Sequence, residues 1–174
     1  MIKYIYMDIL GVLKYFPGAV LAGLPLSLGI VFTLNRWRGK HGKAEVSVLP
    51  KVLFGIYLMV MFLITFFSRE SGSRIGVDLE LFSTWGINER NNAFVIENIL
   101  LFLPYGFVSC LALKPFRRIL PCTVLGMLTS LCIECLQLIT QRGYFQLDDI
   151  LTNTLGALLG CLCCRLVFGK RLQP

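Results

Sequence analysis

Apolar residues along this chain fall into five long runs separated by short polar stretches. Crossing the roughly 30 Å hydrocarbon core of a bilayer takes about 20 predominantly apolar residues in a helix. The first run, Tyr15–Leu34, contains Pro17 and Pro25. The second, Val52–Phe67, reaches spanning length only by borrowing residues at its ends. The third extends from about Ala93 to Leu113 with Glu97, Asn98 and Pro104 inside it. The fourth is Ile119–Thr140, carrying Glu134 and Gln137, and the fifth is Ile150–Phe168. Backbone groups find no water in lipid, so each run is expected to be a helix. The strict apolar–polar alternation of a membrane β-barrel is missing from the runs. The expected fold class is therefore all-α, a polytopic transmembrane bundle of about five spans.

Composition agrees. Of 174 residues, 56% are hydrophobic and 16% charged, with a mean hydropathy of +0.72. A soluble domain averages about 25% charged residues, and a soluble chain of this length could not hide so much apolar surface. One domain's worth of chain is present, with a division into an N-terminal helix and basic loop (1–49), a main membrane domain (50–168) and a basic tail (169–174). The net charge of +7 lacks the basic helix or aromatic-basic strand that nucleic acid would require, so no nucleic-acid partner is expected. In a membrane protein such an excess marks cytoplasmic loops and anionic lipid. Asp8 and Lys14 interrupt the early apolar stretch, and no small-residue cleavage site follows before Leu34. The first span is thus expected to be retained and not removed as a signal peptide.

Orientation follows from where Lys and Arg sit between spans. Arg36, Arg38, Lys40, Lys43 and Lys51, then Lys114, Arg117 and Arg118, then Arg165, Lys170 and Arg171 occupy alternate connections. Those segments hold eleven of the seventeen basic residues and a single acid, Glu45. The expectation is N-terminus outside and C-terminus inside. The opposite set includes Ser68–Asn92, which carries Ile75, Val77, Leu79, Leu81, Phe82 and Trp85 between charges. Two readings of that segment are open: an amphipathic or re-entrant piece at the interface, or a loop packed over the bundle.

This orientation gathers scattered polar residues at one depth on the outer side. Glu97 and Asn98 lie near one end of the third run, Glu134 and Gln137 near one end of the fourth, and Arg142, Asp148, Asp149 and Asn153 in or beside the following connection. Ser130, Glu134, Gln137 and Gln141 follow 4-3-4 spacing, which places them on one helical stripe. Asp149, Asn153, Gly156 and Gly160 do the same on the fifth run, and Gly156-x-x-x-Gly160 is a small-xxx-small pattern that admits a neighbouring helix closely. Asn98, Phe102, Tyr105 and Ser109 form a matching stripe on the third run. A carboxylate at the bilayer centre costs about 2.5–3.5 kcal/mol, and less toward the interface. Glu134, about 9 Å of helix rise before Thr140, should be paired, protonated or in a wet cavity, with Arg142 as candidate partner.

Each feature has a plain structural alternative. Glu134 and Arg142 can tie a helix end to its loop. Asp148 and Asp149 can complement the dipole of the fifth helix. Asn153 can glue two helices together, and Glu97 can reach the interface. The seven cysteines lie in or beside apolar runs. Cys132-x-x-Cys135 has ligand spacing but no second pair and no nearby His, so no metal or cofactor is expected and the thiols read as small hydrophobes.

At these residues the chain resembles the VanZ-like family of bacterial membrane proteins. Asn98-Ile-Leu-Leu-Phe-Leu-Pro104-Tyr-Gly106-Phe is similar to that family's N-x-x-x-F-x-P-x-G-F signature. Glu134-x-x-Gln137, Arg142, and Asp148-Asp149-Ile-x-x-Asn153-Thr-x-Gly156-x-x-x-Gly160 resemble its second signature. Phe67-Ser68-Arg69 is similar to the family's Arg at the end of an earlier helix. The likeness covers roughly residues 50–168, and the segment around Leu79–Trp85 departs from the Asn-x-x-Pro-Phe of many relatives. It implies a multi-pass envelope protein of the bacterial cytoplasmic membrane, in a family whose namesake gives low-level resistance to teicoplanin.

Two functions compete. In the first, Asn98, Glu134, Gln137, Arg142, Asp149 and Asn153 bind a lipid-linked cell-wall precursor or another amphipathic ligand from the outer leaflet. In the second, Glu134 and Asp148 or Asp149 act as acid and base on a lipid phosphate or glycosyl carrier, with Arg142 holding an anion. His41 lies in the predicted cytoplasmic loop, away from any His-dependent nucleophile on the outer side. Five short spans without a visible repeat leave little room for a transporter's alternating access.

Overall fold

A computed structural model describes residues 1–67, 72 and 76–172, the side chains of 170–172 excepted. Six α-helices are present among them: α1 (Ile2–Leu13), α2 (Phe16–Lys40), α3 (Val48–Phe62), α4 (Glu89–Ala112), α5 (Ile119–Thr140) and α6 (Leu147–Leu172). A π-helical turn, Leu63–Phe67, continues α3. Five of the resulting helical segments are long and apolar enough to cross a membrane: Phe16–Lys40, Val48–Phe67, Glu89–Ala112, Ile119–Thr140 and Leu147–Gly169. The all-α, five-span bundle expected from the sequence is the architecture found, and the chain is a multi-pass membrane protein. Most spans run beyond their apolar runs at one or both ends, because polar flanking residues continue the same helices.

α1 is an addition. Lys3 and Asp8 break its apolar content, yet the twelve residues Ile2–Leu13 are helical. At that length α1 is about 18 Å long, too short to span. Pro17, in the first turn of α2, sets the break, since proline lacks an N–H and is favoured there. α1 lies against α4, where the Arg90 guanidinium pairs with Asp8 at 2.6 Å and covers the Phe94 ring.

The helices pack through small residues. On α2, Pro25 deprives the helix of one backbone bond, and Ser27 Oγ donates to the carbonyl of Gly23 at 2.6 Å. That turn meets α3 closely: a Cβ at Gly23 would stand 3.1 Å from Ile56 Cα, and one at Gly55 2.6 Å from Ser27 Cβ. The tightest crossing joins α4 and α6. A Cβ on Gly106 would lie 2.8 Å from the Ala157 carbonyl carbon, and one on Gly160 2.8 Å from the Phe107 nitrogen. Because backbone faces backbone there, no side chain can move aside. The crossing fixes the relative depth of both helices.

Beside this crossing, Met61, Phe102, Tyr105 and Ala157 form the central core, with Phe54, Tyr57, Leu101, Leu125 and Ile133 against it. The Tyr57 hydroxyl donates to the Leu101 carbonyl, and Tyr105 Oη and Thr129 Oγ1 share a hydrogen bond of 2.7 Å. Nearer the other end, Cys110, Cys122, Cys161 and Cys164 pack together with Phe107 and Phe168. Cys132, Cys135 and Cys163 are exposed on the bundle's surface.

Successive spans alternate in direction, so α3 (through its π turn) and α5 end where α4 and α6 begin. Residues 76–88 cover that end. Val77 and Asp78 (β1) pair in parallel with Phe145 and Gln146 (β2). The backbone of this segment therefore packs over the bundle, while Leu79, Leu81, Phe82, Trp85 and Ile87 remain exposed. Ser68, Arg69 and Ile75, singled out in the sequence, lie outside the described residues.

Candidate functional site

The covered end of the bundle gathers the polar side chains of four helices, and each is tied to a particular backbone or side-chain group. A helix leaves its last four carbonyls without intrahelical donors. Three consecutive carbonyls at the end of α3's π turn are each met by a different element. Gln137 of α5 donates Nε2 to the Thr65 carbonyl at 3.2 Å. Arg142, just beyond α5, donates Nη1 to the Phe66 carbonyl at 2.6 Å. Tyr15, ahead of α2, donates its hydroxyl to the Phe67 carbonyl at 3.0 Å. A guanidinium at a helix C-terminus is also favoured by the helix dipole, and the Phe67 ring lies 6.0 Å from the Arg142 guanidinium carbon.

The turn after α5 brings Arg142 to this position. Gln141 takes the left-handed conformation (φ 56°), ending the helix, and the Arg142 N–H returns to the Gln137 carbonyl at 2.9 Å. A few residues on, the Gln146 N–H donates to Glu134 Oε2 at 3.0 Å. The carboxylate expected to seek Arg142 thus also accepts from the strand leading into α6. Glu134 and Gln137 are both 2% exposed.

α6 divides its polar residues between two neighbours. Asp149 Oδ1 accepts from Asn98 Nδ2 of α4 at 2.8 Å, while Asn153 Nδ2 donates to Ser130 Oγ of α5 at 2.9 Å. A four-residue step rotates a side chain about 40° around the helix, enough to move from one flank to the other. Gly156 and Gly160 lie below them on the flank facing α4. Asn98, Asp149, Asn153 and Ser130 thereby link α4, α6 and α5 at one level.

Asp148 points elsewhere. Its Oδ1 accepts from the Phe82 N–H at 2.6 Å and its Oδ2 from the Thr84 N–H at 2.9 Å. The side chain is 2% exposed, and it holds the covering segment through a residue, Phe82, with φ of 63°. A bulky side chain rarely adopts that conformation unless the surroundings enforce it. Nearby, Ser83 Oγ donates to Asp78 Oδ2 at 2.8 Å and the Glu80 N–H to Oδ1 at 3.0 Å. The Ser83 hydroxyl first, and then the Glu80 amide, hold the Asp78 carboxyl below the usual carboxylate range.

Glu97 stands apart from this network, facing Asp8 and Arg90 at the α1–α4 contact. Three buried acceptors at this end have no donor among the described residues: Gln137 Oε1, Asn153 Oδ1 and Glu97 Oε1. Among the described residues, no group of three or more His, Cys, Asp or Glu side chains is placed to hold a metal ion.

Sequence patterns single out the helical side chains of this network but miss their backbone partners. Nothing in the letters marks the Thr65, Phe66 and Phe67 carbonyls, or the Phe82 and Thr84 amides, because these depend on a π turn and a left-handed residue. Asp8 did leave a signal: a lone acid inside a mostly apolar twelve-residue stretch needs a partner.

Compared with known proteins, residues 54–168 match the model of the family described as VanZ/LLP1. That stretch begins inside α3 and includes every helical and loop residue of the network except Tyr15. The chain is also similar to Protein VanZ of Enterococcus faecium, with 25% identity over 121 residues, covering 66% of this chain and 72% of that protein. No solved structure matches the chain.

Proposed function

Since this chain belongs to the VanZ/LLP1 family, we propose that its covered polar end is an outward-facing binding site for an amphipathic, donor-rich ligand at a bacterial cytoplasmic membrane. The observation that carries the reading is the pair of buried amide oxygens, Gln137 Oε1 and Asn153 Oδ1, left without donors among otherwise engaged polar groups. A buried unsatisfied acceptor costs about 1–3 kcal/mol. A ligand rich in hydroxyl and amide N–H groups relieves that cost. Lipid-linked cell-wall precursors and lipoglycopeptides of the teicoplanin kind carry such groups beside a long acyl or prenyl chain. Resistance to a teicoplanin-type compound is the phenotype this reading proposes.

The outward orientation is supported by charge. Arg36, Arg38, Lys40, Lys43, Lys51, Lys114, Arg117, Arg118 and Arg165 all lie toward the end opposite the polar network, and basic connections are retained on the cytoplasmic side.

Binding is favoured over catalysis by what the carboxylates already hold. Both oxygens of Asp148 accept backbone N–H groups, and Asp149 accepts from Asn98. A carboxylate whose oxygens are taken up by such donors is a poor general acid or base.

The test uses the full chain in nanodiscs, titrated with teicoplanin and, separately, with a fluorescent undecaprenyl-linked muropeptide. Saturable binding of one probe, reduced at least tenfold in Gln137→Leu and Asn153→Leu with thermal stability retained, supports the site. Equal binding by wild type and both variants, or no saturable binding of either probe, overturns it. Turnover of the muropeptide replaces it with the enzyme reading. Labelling of a cysteine placed at Tyr144 by a membrane-impermeant reagent in intact cells tests the orientation.

A further inference from the structure

The end of the bundle opposite the polar network concentrates positive charge, with Glu45 as the single acid in its connections. Arg38 closes α2, Lys51 opens α3, and Lys114 and Arg117 lie in the 3-10 turn (Lys114–Arg117) between α4 and α5. Because successive spans alternate in direction, the α2–α3 and α4–α5 connections share this end, and Arg117, Arg38 and Lys114 all lie near enough to act on the Lys51 ammonium. Four cations from two connections therefore converge.

Their other contacts do not neutralise them. Arg38 Nε donates to the Ala44 carbonyl at 2.7 Å, and Lys51 Nζ to the Ser47 carbonyl at 3.4 Å. Arg165 of α6 donates Nη1 to the Arg117 carbonyl at 2.8 Å, bringing a fifth cation alongside. Arg117 Nε is buried and has no acceptor among the described residues. Among the described residues the two ion pairs, Met1–Glu89 and Arg90–Asp8, both lie at the other end of the bundle. Converging like charges that are partly buried and uncompensated repel one another. An unpaired buried guanidinium donor adds a desolvation cost.

The surroundings select the kind of anion. Flanking the charges, Val48, Leu49 and Leu53 of α3 and Leu120 of α5 are exposed, Leu49 at 68% and Leu120 at 73%. Trp37, also exposed, lies one residue before Arg38 at the end of α2, where an indole suits the headgroup level. A free anion gains nothing from this apolar rim. A phosphodiester carrying acyl chains can place its phosphate among the cations and its chains along α3 and α5. We propose that Arg38, Lys51, Lys114 and Arg117 form a binding site for the headgroup of an anionic phospholipid.

The site can be read by tryptophan quenching in the full chain carrying Trp85→Phe, which leaves Trp37 as the single tryptophan. The chain is reconstituted in phosphatidylcholine with either phosphatidylglycerol or phosphatidylcholine brominated near the carbonyl. Stronger quenching by the brominated phosphatidylglycerol is expected. Its selectivity should fall about fivefold for each of Lys51→Gln, Lys114→Gln and Arg117→Gln, on the basis of about 1 kcal/mol per cation near a charged lipid, and should be unchanged in Arg36→Gln. Lys114 is exposed, so its variant folds even if Arg117→Gln does not. Equal quenching by the two lipids overturns the proposal. So does an equal loss in Arg36→Gln, which means a diffuse field, or displacement by inorganic phosphate, which means a free-anion site.

Discussion

Asn98 and Asp149 meet across the α4–α6 crossing, Nδ2 donating to Oδ1 at 2.8 Å. The bond sits above the glycines that let the two backbones touch, so its geometry is set by packing as much as by its own attraction. Interhelical hydrogen bonds in membranes average about 0.6 kcal/mol and reach about 1.7. A double-mutant cycle of Asn98→Ala and Asp149→Ala, followed by thermal unfolding in detergent, should give a coupling of about 1 kcal/mol. Asn98→Asp should be worse than Asn98→Ala, because two carboxylates would then face each other. A coupling indistinguishable from zero would show that the glycines alone hold the crossing.

The glycines themselves divide into two groups. Gly160 faces the Leu103 carbonyl and the Phe107 nitrogen, and an added Cβ would meet backbone on both counts. Gly160→Ala should therefore separate α4 from α6 and cost at least about 1–3 kcal/mol, the usual penalty of overpacking. Gly29, inside α2, has open space where its Cβ would go. Gly29→Ala should be neutral or gain up to about 1 kcal/mol from helix propensity. Melting temperatures of the two variants moving in the same direction would contradict this division.

The spans were legible because lipid imposes a length and forbids unsatisfied backbone; Ile119–Thr140 has the same limits in the sequence and in the structure. The stripes were legible because helical spacing is rigid. What could not be read is which neighbour each polar residue takes. Asp149 and Asn153 belong to one stripe, yet they serve α4 and α5 respectively, since α6 lies between those helices. Charge alone points Arg142 at Glu134. The structure aims its Nη1 at the Phe66 carbonyl, a group exposed by the end of a π turn. Helix α1 was obscured by Asp8, whose charge makes sense only beside Arg90, which is distant in sequence.

Asp148 ties the covering segment to the bundle, and its contribution can be isolated from helix packing. Asn at this position retains one carbonyl oxygen and loses the charge, so at most one of the Phe82 and Thr84 amides keeps its acceptor. Hydrogen bonds to a charged group are worth about 1.5–3 kcal/mol. Hydrogen exchange at these two amides should accelerate at least about tenfold in Asp148→Asn, with one factor of ten per 1.4 kcal/mol. Amides at the α4–α6 crossing should be unaffected. Acceleration spread evenly over α4 and α6 would instead mark Asp148 as part of the bundle's core.

Acid should loosen the same segment from its other anchor. The Ser83 hydroxyl and the Glu80 amide hydrogen-bond the ionised Asp78 and lower its affinity for a proton below that in the unfolded chain. A carboxylate with a depressed folded value stabilises the fold fully above its unfolded pKa, about 3.9. That contribution is lost as the pH falls through the lower, folded value. Asp78 is only half-buried, so the change should be small and local. It should appear as increased exchange at the Glu80 amide as the pH is lowered through and below about 4, after correction for intrinsic rates. Asp78→Asn should start from a looser segment at neutral pH and lose most of the acid response. If the variant responds to acid as strongly as the wild type, the titrating group lies elsewhere at this end of the bundle, and the Ser83–Asp78 contact does not brace the segment.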